Sequence, residues 1–256
     1  MEIELENKTE TKHVASSVHT SRTMMFAELS KLMDFSAGTN TDFENLLNEN
    51  VIAKQTQTNK SATKKYLKQL YLLDDSETVF KVFHYFWSLA PVKEKPLLAL
   101  LLAITRDFLL AESIDTIINI SPGNRADVSV IEQCIELNHP KRYTEKTRLS
   151  LAQNIASSWK QTGHIVGKMK NIRTQVSPGY YVVAFALFLG YLNGLRGDFL
   201  FQTKWTKVLD CSENELRSLA QEAAKRELLS FQFAGNVTVV SFKNLIQKLN
   251  LHGIAD

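Results

Sequence analysis

Only two cysteines, Cys134 and Cys211, occur in the 256 residues. They stand far apart and match no metal-ligand spacing, so they read as buried free thiols in a reducing cytoplasm. The six histidines are scattered, with no His/Cys or His/Glu spacing that suggests a metal site. HExxH, GxGxxG and CxxC are all absent. Gly163 to Lys168 spells GxxxGK, which lacks the four-residue gap and the Ser/Thr of a phosphate-binding loop. Ser157-Ser158-Trp159 has no flanking glycines of a nucleophile elbow. Long apolar runs are missing too. The longest, Tyr180 to Leu192, is thirteen residues, whereas a membrane span needs about 20. The opening MEIELENKTETKH lacks the basic-then-apolar order of a signal peptide. These gaps lead us to expect no cofactor, no metal, no membrane and a cytoplasmic setting.

What is present is an ordinary globular composition, 44% hydrophobic and 22% charged, with enough chain to bury a full core. The net charge of +3 is weakly basic, so any nucleic-acid signal has to come from local clusters. Residues 1–20 are polar and read as a flexible tail. Residues 21–75 hold three helical patterns, the second opened by the capping box Thr41-Asp42-Phe43-Glu44. Short helices with short links, the last one basic, give a helix-turn-helix-like unit. Residues 76–198 read as a central helical bundle. Its segments include an apolar helix from Pro96 to Leu110, one from Val128 to Leu137, one from Thr144 to Lys160 and one from Tyr180 to Leu195. Residues 199–256 change character: a short helix, a second capping box at Ser212-Glu213-Asn214-Glu215, then two strands around Ala234-Gly235-Asn236. Helix, helix, hairpin is the order of a winged helix. The predicted fold is mainly α, with a small β-hairpin in that C-terminal winged-helix-like unit.

The sharpest functional feature is the stretch from Lys54 to Lys68, which carries five lysines and no acid. Lys60, Lys64 and Lys68 fall on one helical face, where like charges cost about 0.2–0.5 kcal/mol per pair. A polyanion would offset that cost. Lys54, Lys60, Lys64, Lys65 and Lys68 are therefore candidate phosphate contacts, with Thr58 and Asn59 as neutral donors at the helix N-terminus. The competing reading is a solvated face balanced by Asp74, Asp75 and Glu77. A second acid-free stretch, Lys160 to Arg173, adds Lys168, Lys170 and Arg173, and Lys141, Arg142, Lys146 and Arg148 would extend it. Its competing reading is a mobile surface loop. The helix from Ser212 is charge-balanced, Arg217, Lys225 and Arg226 against Glu213, Glu215 and Glu222, which favours protein docking over phosphate contact. An enzymatic reading has only the Arg106-Asp107 pair, and such pairs are more often structural. Trp87, Trp159 and Trp205 each lie on an apolar stripe and read as core.

The segments LLNENVIAKQTQTNKSATKKYLKQLYLL, LLLAITRDFLLAE and YTEKTRLSLAQNIASSWKQTGHI resemble, in order and pattern, the BrxA proteins of bacterial BREX phage-exclusion systems. The likeness spans roughly residues 24–165. The resemblance implies a mostly helical, non-enzymatic, double-stranded DNA-binding protein acting in antiviral defence beside other system components. It does not fix which residues touch DNA. An interaction adaptor in a defence complex is the alternative.

Overall fold

The computed structural model describes residues 16–37, 43–49, 51–52, 56–168, 170–234 and 237–254. Among them the chain is mainly helical, with two small antiparallel sheets of two strands each. No helix among the described residues is long and apolar enough to cross a membrane. The helices are α1 (Phe26–Ser36), α2 (Phe43–Asn48), α3 (Gln57–Tyr71), α4 (Thr78–Leu89), α5 (Lys95–Arg106), α6 (Phe108–Glu112) and α7 (Ile114–Ile118). They continue as α8 (Val128–Asn138), α9 (Glu145–Gln161), α10 (Tyr180–Leu192), α11 (Lys204–Lys207), α12 (Glu213–Ala224) and α13 (Lys243–Lys248). Strands β1 (Ile165–Val166) and β2 (Ile172–Arg173) form one sheet; β3 (Ser230–Ala234) and β4 (Val237–Ser241) form the other.

The core is built on two helices that are apolar nearly all round. Every residue of α5 from Leu97 to Ile104 is buried, and every residue of α10 from Val182 to Gly190. Each large apolar side chain so buried contributes about 1.5–3 kcal/mol, so these two helices anchor the rest. Around them pack Phe80, Phe83 and Phe86 of α4, with Phe83 and Phe86 each 5.8 Å from the Phe185 ring. Trp87, Trp159 and Trp205 are all buried, as their stripes indicate. Trp159 donates to the Ser113 hydroxyl at 2.9 Å and Trp205 to the Thr105 hydroxyl at 2.9 Å.

The structure departs from the expected segments in three instructive places. The apolar helix does not run from Pro96 to Leu110: it stops at Arg106, because Asp107 takes an extended conformation and caps α6 by accepting from the Leu110 amide at 3.1 Å. An Asx cap satisfies an orphan helical N–H, which competes with continuing the helix. The expected tail through residue 20 is not all tail. Ser17, Val18 and His19 are buried, and residues 1–15 lie outside the described residues. The loop expected between Lys160 and Arg173 is a hairpin, β1 pairing with β2. Elsewhere the capping signals hold. Ser212 accepts from the Glu215 amide while Glu215 accepts from the Ser212 amide at 2.8 Å. The capping box expected at Thr41 and the turn residues Gly235 and Asn236 lie outside the described residues. Cys134 and Cys211 are free, as expected, but half-buried. Burial first, then Glu215 and Asp210, pushes the Cys211 thiol up to about 12, which makes it a poor nucleophile.

Candidate nucleic-acid interface

α3 begins three residues earlier than the lysine spacing suggests, because Thr56 serves as its N-cap and accepts from the Asn59 amide at 3.3 Å. Thr58 and Asn59 are exposed at that N-terminus. Lys54 lies outside the described residues. The lysine face is not left to solvent. Lys64 and Lys68 both pair with Glu44 of α2, Lys64 also donates to the Asn48 side chain at 2.9 Å, and Lys60 donates to the Asn48 carbonyl. The two lysines hold the Glu44 carboxyl below the usual carboxylate range. The like-charge cost of the stripe is thus offset from inside the protein, by α2, without any outside polyanion. Lys65 points away, exposed, with its ammonium 5.7 Å from the Tyr66 ring.

The second basic stretch divides. Lys168 and Lys170 are exposed at the tip of the β1–β2 hairpin. Gly167 makes that turn with φ +95°, and a Cβ there would fall onto the Lys170 carbonyl, so only glycine fits. Arg173 corrects the expectation of a phosphate contact: it is 0% exposed. Its Nη2 pairs with Asp210 at 2.7 Å and its Nε donates to the Ile117 carbonyl at 3.0 Å. A guanidinium so spent ties β2 to α7 and to the segment before α12, and has nothing left for a ligand. Of the cations on this stretch, Lys170 before β2 faces outward and Arg173 at the end of β2 faces inward.

Further cations lie before and along α9. Arg148 pairs with Glu136 at 2.6 Å. Lys141 and Arg142 are exposed in the α8–α9 turn. The Arg142 guanidinium lies 5.4 Å from the Tyr143 ring and 5.7 Å from the Phe108 ring, within cation–π reach of both.

Arg106 and Asp107 do not make the pair the sequence suggests. The Arg106 Nε donates to the Gln69 carbonyl at 3.2 Å. Asp107 faces the other way, 3.0 Å from His19 Nδ1, and His19 Nε2 lies 2.8 Å from the Ser158 hydroxyl. Carboxylate, imidazole and hydroxyl in line resemble a nucleophile relay. All three are buried. Ser158 Oγ also accepts from the Met24 amide at 2.8 Å and contacts the Asn154 carbonyl at 3.1 Å. Two surface clefts, of about 290 and 500 Å³, lie elsewhere, and neither is lined by any member of the relay. Among the described residues no group of three or more His, Cys, Asp or Glu is placed to hold a metal ion.

At the C-terminal end the balanced charges of α12 are realised as ion pairs. Arg217 pairs with Glu213 and Asp198, each at 2.6 Å, and lies over the rings of Phe201 and Phe233. Lys225 and Arg226 both pair with Glu222. The chain matches no protein-family model, no curated protein and no solved structure.

Proposed function

We propose that this protein binds double-stranded DNA, chiefly through phosphates, and that it does so without catalysing a reaction, in the cytoplasm of a bacterium as part of phage defence. The observation that carries the DNA reading is the β1–β2 turn, where Gly167 fixes a tight hairpin that presents Lys168 and Lys170 to solvent. Neither lysine has an ion-pair partner among the described residues. Cations without an ion-pair partner on a short hairpin suit phosphate contact. The lysine helix α3 is a weaker part of the reading, since Glu44 already pairs with Lys64 and Lys68. The defence setting rests on the resemblance of residues 24–165 to BrxA proteins. In this reading residues 21–75 act as a helix-turn-helix-like unit and residues 199–256 as a winged-helix-like unit. Gel-shift or anisotropy titration with unrelated duplexes tests the reading. Lys168→Glu with Lys170→Glu weakens binding to all of them alike, and unchanged affinity rejects this surface.

A second reading is favoured by one feature. On the β3–β4 hairpin and the turn beside it, Phe199 is 68% and Val237 63% exposed, while the cations of α12 are consumed internally. This end suits a protein partner, which makes the chain an adaptor in a multi-component defence complex. Phe199→Glu with Val237→Glu, both exposed, abolishes that partnership and spares DNA affinity if both readings hold.

A further inference from the structure

The segment from Phe108 to Arg173 holds an order that its sequence pattern hides. Residues 124–126, just before α8, run antiparallel to β2. Gly123 N donates to Arg173 O at 2.8 Å, Ala126 N to Asn171 O at 2.7 Å, and Arg173 N to Asn124 O at 2.9 Å. Since β2 also pairs with β1, three extended segments lie side by side in the order 124–126, β2, β1. Helices α8 and α9 are inserted between the first and the last of these in the chain. Helix, strand, helix, helix, hairpin is the order of a winged helix. The second helix of a helix-turn-helix pair is the one that enters the major groove.

That second helix is α9, and its faces divide sharply. Leu151, Ala152, Ile155, Ala156 and Trp159 are buried. On another side Lys146, Ser150 and Gln153 are exposed, followed at the same spacing by half-buried Ser157 and Lys160. This stripe carries no acid, and Glu145 is the only carboxylate on the helix. Glu136, in the last turn of α8, is engaged by Arg148 and by the Lys141 amide. At 1.5 Å per residue the stripe from Lys146 to Lys160 spans about 21 Å, more than the roughly 12 Å width of a major groove. Lys141 and Arg142 stand at its start, and the hairpin with Lys168 and Lys170 follows its end.

We infer that α9 is a DNA-reading helix, with Ser150 and Gln153 facing base edges in the major groove and cations at both ends of the stripe holding the flanking phosphates. The inference rests on the DNA-binding reading above and adds to it a groove element and a measure of sequence readout. Glutamine suits adenine and serine either partner of a pair.

The test uses the full chain and a duplex selected from a random pool, compared with unselected duplexes. Lys146→Ala with Lys168→Ala and Lys170→Ala makes the slope of log affinity against log salt shallower by about two to three units on every duplex. Ser150→Ala with Gln153→Ala costs about 5- to 100-fold on the selected duplex and less than about twofold on the others. All five side chains are exposed, so an unchanged melting temperature shows the fold intact. A wild type that binds duplex steeply in salt while both variants bind like it overturns the role of α9 and leaves DNA binding standing. Selection that returns no preferred sequence overturns the readout by Ser150 and Gln153. A wild type that binds no duplex at about 50 mM salt removes both readings together.

Discussion

His19 Nδ1 lies 3.0 Å from the Asp107 carboxylate, and the two join distant parts of the chain that no sequence pattern connects. Asp107 also accepts from the Ser17 hydroxyl at 2.8 Å and from the Val18 amide at 2.7 Å. Burial alone pushes its carboxyl up. The contact with His19, the Leu110 amide and the Ser17 hydroxyl outweigh burial and hold it below the usual carboxylate range. The N-terminal segment is thereby bolted onto the start of α6, and Ser158 bolts it to α9. Breaking a buried pair leaves an uncompensated polar group, at a cost of about 3–5 kcal/mol. Asp107→Ala therefore lowers stability by that order in urea denaturation. A loss under about 1 kcal/mol contradicts the bolt.

Glu44 is the internal counterion of α3 and should behave as an exposed one. Exposed ion pairs contribute about 0–1 kcal/mol each. Glu44→Gln then shifts the urea midpoint only slightly. If the lysine face is free to meet DNA once released, the same substitution raises duplex affinity at low salt. Unchanged affinity confines DNA contact to the region around α9 and the β1–β2 hairpin.

Gly167 and Gly179 are fixed by their neighbours for different reasons. At Gly167 the positive φ and the Lys170 carbonyl both exclude a side chain. At Gly179 the backbone is ordinary, but a Cβ would fall onto the buried Glu94 carboxylate at the start of α10. Gly167→Ala costs about 1–3 kcal/mol or distorts the turn, and weakens DNA binding along with it. Gly179→Ala destabilises by a similar order and leaves the salt dependence of DNA binding alone. Equal effects of the two on DNA slope, with equal losses of stability, would contradict the hairpin's role. Thermal melts and anisotropy on both variants distinguish the cases.

His164 supplies a pH signature. It is buried, with Nδ1 2.7 Å from the Thr162 hydroxyl and Nε2 2.8 Å from the Val208 carbonyl. Burial, aided by the charge of Arg173 and opposed by the Val208 contact, pushes it down to about 4. The unfolded chain binds this proton from about 6.5 downward, and the folded one only near 4. Stability from this group is complete above pH 6.5 and is lost as pH falls toward 4, by about 3 kcal/mol in all. The Asp107 contribution is lost at lower pH, below the ordinary carboxylate range, because its folded value is depressed. His164→Gln flattens the curve between pH 6.5 and 4 relative to wild type. An unchanged difference across that window contradicts the assignment.

Much of the fold is legible in the sequence because its signals are local. Continuous apolar runs give α5 and α10, and the Ser212 capping box starts α12 where expected. The misses share a cause: a lone residue whose partner is distant. Asp107 reads as part of an amphipathic run until its role as a cap for α6 and a partner for His19 is seen. Arg173 sits in an acid-free stretch that resembles a basic surface, and only its neighbour Asp210 in space shows it is spent. Glu44 stands too far from the lysines in sequence to count against them, yet it pairs with two. The hairpin around Lys168 had one available signal, the glycines Gly163 and Gly167 with the β-branched Ile165-Val166 between them, which the charge pattern overshadowed.

The central claim is that cations about α9 and the β1–β2 hairpin meet DNA phosphates. The most direct measurement is the affinity of the full chain for a mixed-sequence duplex across a salt series. Six exposed or half-buried cations, Lys141, Arg142, Lys146, Lys160, Lys168 and Lys170, stand free of ion pairs among the described residues. Contact by all six gives a slope of log affinity against log salt of about −5. A slope near zero, or no binding at about 50 mM salt, contradicts the account.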